Sequence, residues 1–163
     1  LKLSRKSLIV VLEEPEKPGN IGALYRTAAA AKIDAIIISN PKTDFYNPNS
    51  IRSSLGDIFK IPTAIESNEN VVSFLKKREF NIYTTFIKVD SVRYDKFDYQ
   101  LPCALVIGSE SEGLSNFWSK VANENLVIPM AKTSNSLNLS VSAGILIYEA
   151  ARKNNKLDKN TIV

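Results

Sequence analysis

Three short polar stretches carry the residues whose types and spacing could do chemistry. The first is Pro18-Gly19-Asn20-Ile21-Gly22, followed by Arg26. The second is Gly108-Ser109-Glu110-Ser111-Glu112-Gly113-Leu114. The third follows Ile128-Pro129-Met130 and runs Ser136-Leu137-Asn138-Leu139-Ser140-Val141-Ser142. The chain has no histidine, which excludes Ser-His-Asp and Cys-His nucleophiles, His-ligated zinc and an imidazole base. A proton must then move through Arg, Lys, Asp, Glu, Tyr or water. The lone Cys103 can form neither an internal disulfide nor a metal cluster. The loop at Gly108 is not a phosphate cradle, because it lacks GKS or GKT and carries two carboxylates, Glu110 and Glu112. It lacks the GxGxxG dinucleotide spacing as well. Carboxylates between turn-forming glycines suit a ligand with ammonium or hydroxyl groups.

Each stretch also has a plainer reading. Asn20 sits where a helix cap would, and Arg26, six residues on, would not share its face on a regular helix at about 100° per residue. Asn20 could be a cap and Arg26 a solvated helix residue. Glu110 could cap a turn. Ser136 is placed to cap the last helix, with the Ser and Asn beyond it satisfying a buried polar network.

The elements that must position these stretches alternate along the chain. Leu8 to Leu12, Ala35 to Ser39 and Ala104 to Gly108 are continuous apolar runs, the pattern of parallel strands buried on both faces. Asn81 to Phe86 and Leu126 to Ile128 are further strand candidates. Helices are expected over Ile21 to Ala31, Ile51 to Phe59, Asn70 to Arg78, Ser115 to Val121 and Leu137 to Lys153, with loops at Asn40 to Ser50 and Val89 to Gln100. Alternating strands and helices predict an α/β fold with a mostly parallel sheet. Ligands of such sheets bind beyond the carboxyl ends of the strands, where the loops after Leu12, Phe86, Gly108 and Ile128 lie.

Composition sets the wider bounds. With 163 residues, 44% hydrophobic and 23% charged, the chain is one ordinary globular domain. No apolar run approaches the roughly 18–20 residues of a membrane helix, and none resembles a signal peptide. Nothing asks for an oxidising compartment, which points to the cytoplasm. A net charge of +4 permits a polyanionic partner without requiring one. The chain opens on Leu1 and its single methionine is Met130, so a natural start is expected upstream.

Taken together, the three stretches resemble the SpoU (TrmH-like) branch of the SPOUT RNA methyltransferases. The motifs are EKPGNIGALYRTAAA (Glu16 to Ala30), LVIGSESEGLS (Leu105 to Ser115) and VIPMAKTSNSLNLSVSAGILIYEAAR (Val127 to Arg152), with YNPNSIRSSLGDIFKIP (Tyr46 to Pro62) matching the segment after the second strand. The resemblance covers nearly the whole chain, with residues 1–163 as the methyltransferase domain. It implies a SPOUT-type parallel sheet flanked by helices, with a C-terminal trefoil knot, one of the rare exceptions to un-knotted connectivity. It implies S-adenosyl-L-methionine bound by three loops, near Thr85, Gly108, Ile128 and Leu137, without a metal. It implies methylation of a ribose 2′-hydroxyl in tRNA or rRNA by a homodimer, with Asn20, Arg26, Glu110, Ser136 and Asn138 as the reactive residues. Arg26 would orient the hydroxyl and stabilise developing oxyanion charge, since a guanidinium is a poor base.

Many relatives carry an additional N-terminal RNA-binding domain before the first strand; only Leu1 to Ser7 precede it in this sequence, so such a domain, where the natural protein has one, is expected to lie upstream of Leu1. Phosphate contacts are expected among Lys2, Arg5, Lys6, Arg52, Lys60, Lys76, Lys77 and Arg78, against the plainer reading of solvated surface charge. Two other functions compete: an RNA-binding module without catalysis, disfavoured by the intact Asn20 and Arg26, and methylation of a base nitrogen, disfavoured by the Ser136-Leu137-Asn138 triplet.

Overall fold

The apolar runs become the centre of a parallel sheet. In the computed structural model, which describes residues 1–86, 90–133 and 136–157, β1 (Leu8–Glu13), β2 (Ala35–Ser39), β3 (Thr63–Glu66), β4 (Asn81–Thr84), β5 (Val92–Arg93), β6 (Cys103–Ile107) and β7 (Glu124–Val127) pair in the order β3-β2-β1-β6-β4-β7-β5. Every pairing is parallel. All residues of β1, β2 and β6 are buried, as expected where connecting helices cover both faces.

Successive residues of β1, β2 and β6 serve opposite cores. Val10, Leu12, Ile36, Ile38, Leu105 and Ile107 pack with α1 (Pro18–Ala30) and α5 (Leu139–Lys153) through Leu24, Tyr25, Leu146 and Ile147. Ile9, Val11, Ile37, Ala104 and Val106 pack on the other face with α3 (Asn68–Lys77) and α4 (Asn116–Ser119) through Val71, Leu75 and Trp118. Cys103 lies in the first core, where burial pushes its thiol up to about 12. Among the described residues no helix is long and apolar enough to cross a membrane.

Several expectations from the sequence need correction. The first helix begins at Pro18, so Asn20 is its third residue and not its cap; Lys17 occupies the cap position without a side-chain bond. Proline at the first helical position has the required φ and lacks an N–H that would go unpaired there. The helix expected over Ile51 to Phe59 is α2 (Pro48–Ser54) and a separate 3-10 turn (Asp57–Phe59), split where Leu55 and Gly56 adopt φ of 51° and 87°. The last helix is capped by Asn138, whose side chain accepts from the Ser140 N–H, and not by Ser136. β3 and β5 were not expected. The loop expected from Val89 starts outside the described residues, and Val92–Arg93 within it forms β5.

Helix α1 packs against both α2 and α5. The first contact depends on Gly22, where a Cβ would lie 2.0 Å from Ser53 Oγ, 2.4 Å from the Ser50 carbonyl oxygen and 2.7 Å from Ser54 N. Gly22→Ala would add about 1 kcal/mol of helix propensity. Overpacking against two backbone atoms that cannot rotate away opposes this by roughly 1–3 kcal/mol. A lower urea midpoint is therefore expected for Gly22→Ala, and an unchanged or higher midpoint would contradict this packing.

Candidate functional site

The carboxyl ends of β4, β6 and β7 open into one cavity of about 460 Å³. Thr85 follows β4, Gly108 follows β6 and Ile128 follows β7, and all three line it. Leu137 and Ser136 close it from the segment entering α5. Apolar walls come from Ile107, Leu114, Leu126 and Leu139. The mixture of apolar walls and a few polar groups, at this size, matches small-molecule and cofactor pockets, which run roughly 300–1,000 Å³.

The loop Gly108 to Leu114 forms one wall. It is closed by a pair of backbone hydrogen bonds, Ser109 N–H to the Gly113 carbonyl at 3.2 Å and Gly113 N–H to the Ser109 carbonyl at 3.1 Å. At Gly108 a Cβ would come within 2.1 Å of the Gly113 carbonyl carbon, so this turn closes only without a side chain.

Two hydrogen bonds tie three distant segments at the rim. Asn20 Nδ2 donates to Glu110 Oε1 at 2.6 Å, and Asn138 Nδ2 donates to Asn20 Oδ1 at 3.0 Å. The other side of Asn138 accepts from Ser140 N–H at 2.8 Å and from its hydroxyl at 2.7 Å. Glu110 lines the cavity, and its Oε2 is buried without a hydrogen-bond partner among the described residues. A desolvated carboxylate oxygen in that state favours a ligand that brings a donor. Nearby, the Ser111 hydroxyl donates to Glu16 Oε1 at 2.6 Å. That bond, aided by Lys42, holds the Glu16 carboxyl below the usual carboxylate range.

The structure thus brings Thr85, Gly108, Ile128 and Leu137 to one cavity, with Glu110 and Ser136 also lining it. Asn20 and Asn138 join through Glu110. Arg26 stands apart: it is exposed, does not line the cavity, and its side chain makes no hydrogen bond or ion pair among the described residues. Of the basic residues, Arg5 pairs with Glu79, Lys60 pairs with Asp57 and Arg78 lies over the Phe74 ring. No group of three or more His, Cys, Asp or Glu suited to a metal ion occurs among the described residues.

Sequence reasoning missed Glu13 and Glu16, which reach the same loop. A carboxylate continuing the apolar run of β1 was the available signal, since a charge in a doubly covered strand must find donors.

A parallel α/β sheet with a ligand cavity beyond the carboxyl ends of its strands defines the class of protein. Comparison with known proteins defines the family: the sequence model of the SpoU rRNA Methylase family matches residues 7–148, and the chain belongs to that family. It is 33% identical over 150 residues to the 23S rRNA (uridine(2479)-2′-O)-methyltransferase of Streptomyces viridochromogenes, covering 88% of this chain and 52% of that protein. It is 29% identical over 147 residues to the 23S rRNA (guanosine(2553)-2′-O)-methyltransferase RlmP of Bacillus subtilis, covering 90% and 59%. The chain therefore spans somewhat more than half the length of these curated relatives. Among solved structures, it resembles the SpoU methyltransferase AviRb of S. viridochromogenes in complex with AdoMet, at a TM-score of 0.87 and 32% identity over 94% of this chain and 62% of the other. It resembles equally an AdoMet-bound rRNA methyltransferase from Sinorhizobium meliloti, at a TM-score of 0.87 and 31% identity over 91% and 57%.

The rim network makes a measurable claim. Asn20→Ala and Asn138→Ala are each expected to lower unfolding free energy by about 1 kcal/mol, the net worth of an ordinary side-chain hydrogen bond. The double variant should lose less than the sum by about 0.5–1 kcal/mol, as residues of one network do. Strict additivity in chemical denaturation would show that the two side chains are not coupled.

Proposed function

We propose that residues 1–163 are the methyltransferase domain of an S-adenosylmethionine-dependent RNA ribose 2′-O-methyltransferase acting on rRNA or tRNA. The observation that carries this reading is the convergence of Thr85, Gly108, Ile128 and Leu137 on one cavity, with the unpartnered Glu110 oxygen among its polar groups. The cofactor fits this site by chemistry. Its adenine and aliphatic chain suit the apolar walls, and its ammonium and ribose hydroxyls can supply the donor that Glu110 lacks. The names of the family and of the AdoMet-bound relatives support the same assignment.

When bound, S-adenosylmethionine supplies an activated sulfonium methyl group. The chain's part is then to hold the acceptor hydroxyl in line and to manage its proton. Positioning of this kind contributes several kcal/mol. Asn20, Glu110 and Asn138 are a connected set of donors and acceptors able to fix the acceptor sugar, with Ser136 beside them on the cavity wall. Arg26 is an exposed cation on the helix that carries Asn20. Its role is to orient the 2′-hydroxyl and stabilise charge developing on its oxygen. A guanidinium keeps its proton, so the final proton acceptor is water or the RNA's own phosphate.

We propose also that the chain pairs as a two-fold homodimer through α5 and α1. Val141 and Tyr148 are exposed two turns apart on one face of α5, Leu137 is exposed just before it, and Gly144 abuts Thr27 of α1. An exposed apolar face of this kind suits an isologous interface. The trefoil knot belongs to the same proposal. It is supported by the family resemblance and by the meeting of the segments after β6 and before α5 around one cavity.

Arg26→Ala is expected to slow single-turnover methyl transfer by about 10²–10³ with cofactor affinity retained. Arg26→Lys should recover little, because lysine lacks the planar fork. Digestion of labelled RNA should yield a 2′-O-methyl nucleoside. A base-methylated nucleoside, or no label, would contradict the proposal, and normal turnover in Arg26→Ala would remove Arg26 from it. Sedimentation at micromolar concentration should show a dimer that Val141→Arg dissociates, and a monomeric wild type would refute the interface.

A further inference from the structure

We propose that Glu13 is a positioning residue that fixes the wall of the cavity by clamping the far end of the Gly108–Ser115 loop. This rests on the reading that the cavity takes S-adenosylmethionine. Glu13 is the last residue of β1 and only 1% exposed. Its Oε1 accepts from Asn68 Nδ2 at 2.6 Å and from the Ser115 hydroxyl at 2.6 Å, and its Oε2 accepts from the Ser115 N–H at 2.7 Å. No cation pairs with it among the described residues. A buried carboxylate without a cation relies wholly on its donors, and hydrogen bonds to an ionised acceptor are the stronger kind.

The donors Glu13 collects are what make it a clamp. Gly108 leaves β6 beside the end of β1, where Leu12 is in register with Ile107. Ser115 ends the loop, and its own side chain makes no cap bond to the short helix that follows. Both donors of Ser115, its N–H and its hydroxyl, are turned to Glu13 instead. Asn68, the first residue of α3, donates to the same Oε1 that accepts from the Ser115 hydroxyl. Further along the same segment, Glu16 accepts from Ser111 and Asn20 donates to Glu110. Residues 13, 16 and 20 thus lace the segment after β1 onto the loop at three points. Asn20 and Glu16 act from half-buried positions at the rim; Glu13 acts at the far end, where its own carboxylate is buried although Ser115 is exposed.

Two variants test this. Glu13→Gln keeps the shape but turns an amide N–H₂ toward groups that are themselves donors. Ser115→Ala removes one donor and keeps the backbone N–H. Hydrogen exchange of the 108–115 amides, measured in protein without cofactor, should accelerate about ten-fold or more in Glu13→Gln, the factor expected for loss of a hydrogen bond to a charged group. Exchange in β2 should stay unchanged. The dissociation constant for S-adenosylmethionine, measured by calorimetry well below the melting temperature, should rise by a similar factor. Ser115→Ala should move both readouts the same way by less, and Glu13→Gln should have a smaller further effect in that background than it has in the wild type. If Glu13→Gln does not fold, Ser115→Ala carries the test alone. Uniformly faster exchange with unchanged affinity would reduce Glu13 to general stability and overturn the proposal, as would local exchange equal to wild type. Local loosening in a protein whose wild type binds no S-adenosylmethionine would support the clamp and refute the cofactor reading.

Discussion

Asn20 stands between Glu110 and Asn138, donating to one and accepting from the other. These two bonds join segments 90 and 118 residues from it in sequence, and the candidate site exists only where the three meet. Each bond alone is modest, because a hydrogen bond formed in folding replaces one to water. Their effect comes from the rigidity behind them. β1 and β6 are fully buried and in register, so the starts of the first two segments are fixed relative to one another. α5 packs across α1 and brings the third.

The arrangement separates two tasks. The cavity at the ends of β4, β6 and β7 has apolar walls and one desolvated carboxylate oxygen, which suits a small molecule with a few donors. Arg26 lies outside it, exposed, on the helix whose third residue is Asn20. A cation at the surface can meet a polyanion without first being desolvated. The family's named activity needs a buried methyl donor and an acceptor arriving from solvent, and the placement of these groups is compatible with that division.

Much of the fold was legible because the central strands are apolar on both faces. LIVVL and AIIIS have few other stable solutions in a chain of this composition. β3 was not legible, since its four residues are half-buried or exposed, and the two residues of β5 offer no period to detect. Boundaries failed for local reasons. Pro18 starts α1 ahead of the apolar stretch, and in Ser136-Leu137-Asn138 two good capping residues compete, of which Asn138 reaches the Ser140 N–H. The site was legible as three polar stretches only when read together, through their resemblance to a family. The lacing by Glu13 was hidden, because its partners Asn68 and Ser115 lie 55 and 102 residues away and nothing in their local sequence marks them.

The central claim is that the cavity formed by Thr85, Gly108, Ile128 and Leu137 is the cofactor site. A crystal structure of the protein with S-adenosylhomocysteine tests it most directly. The account predicts density for the ligand in that cavity, against the Gly108–Leu114 wall and with a donor on Glu110 Oε2. Ligand bound elsewhere on the protein, or an empty cavity at saturating concentration, would contradict it.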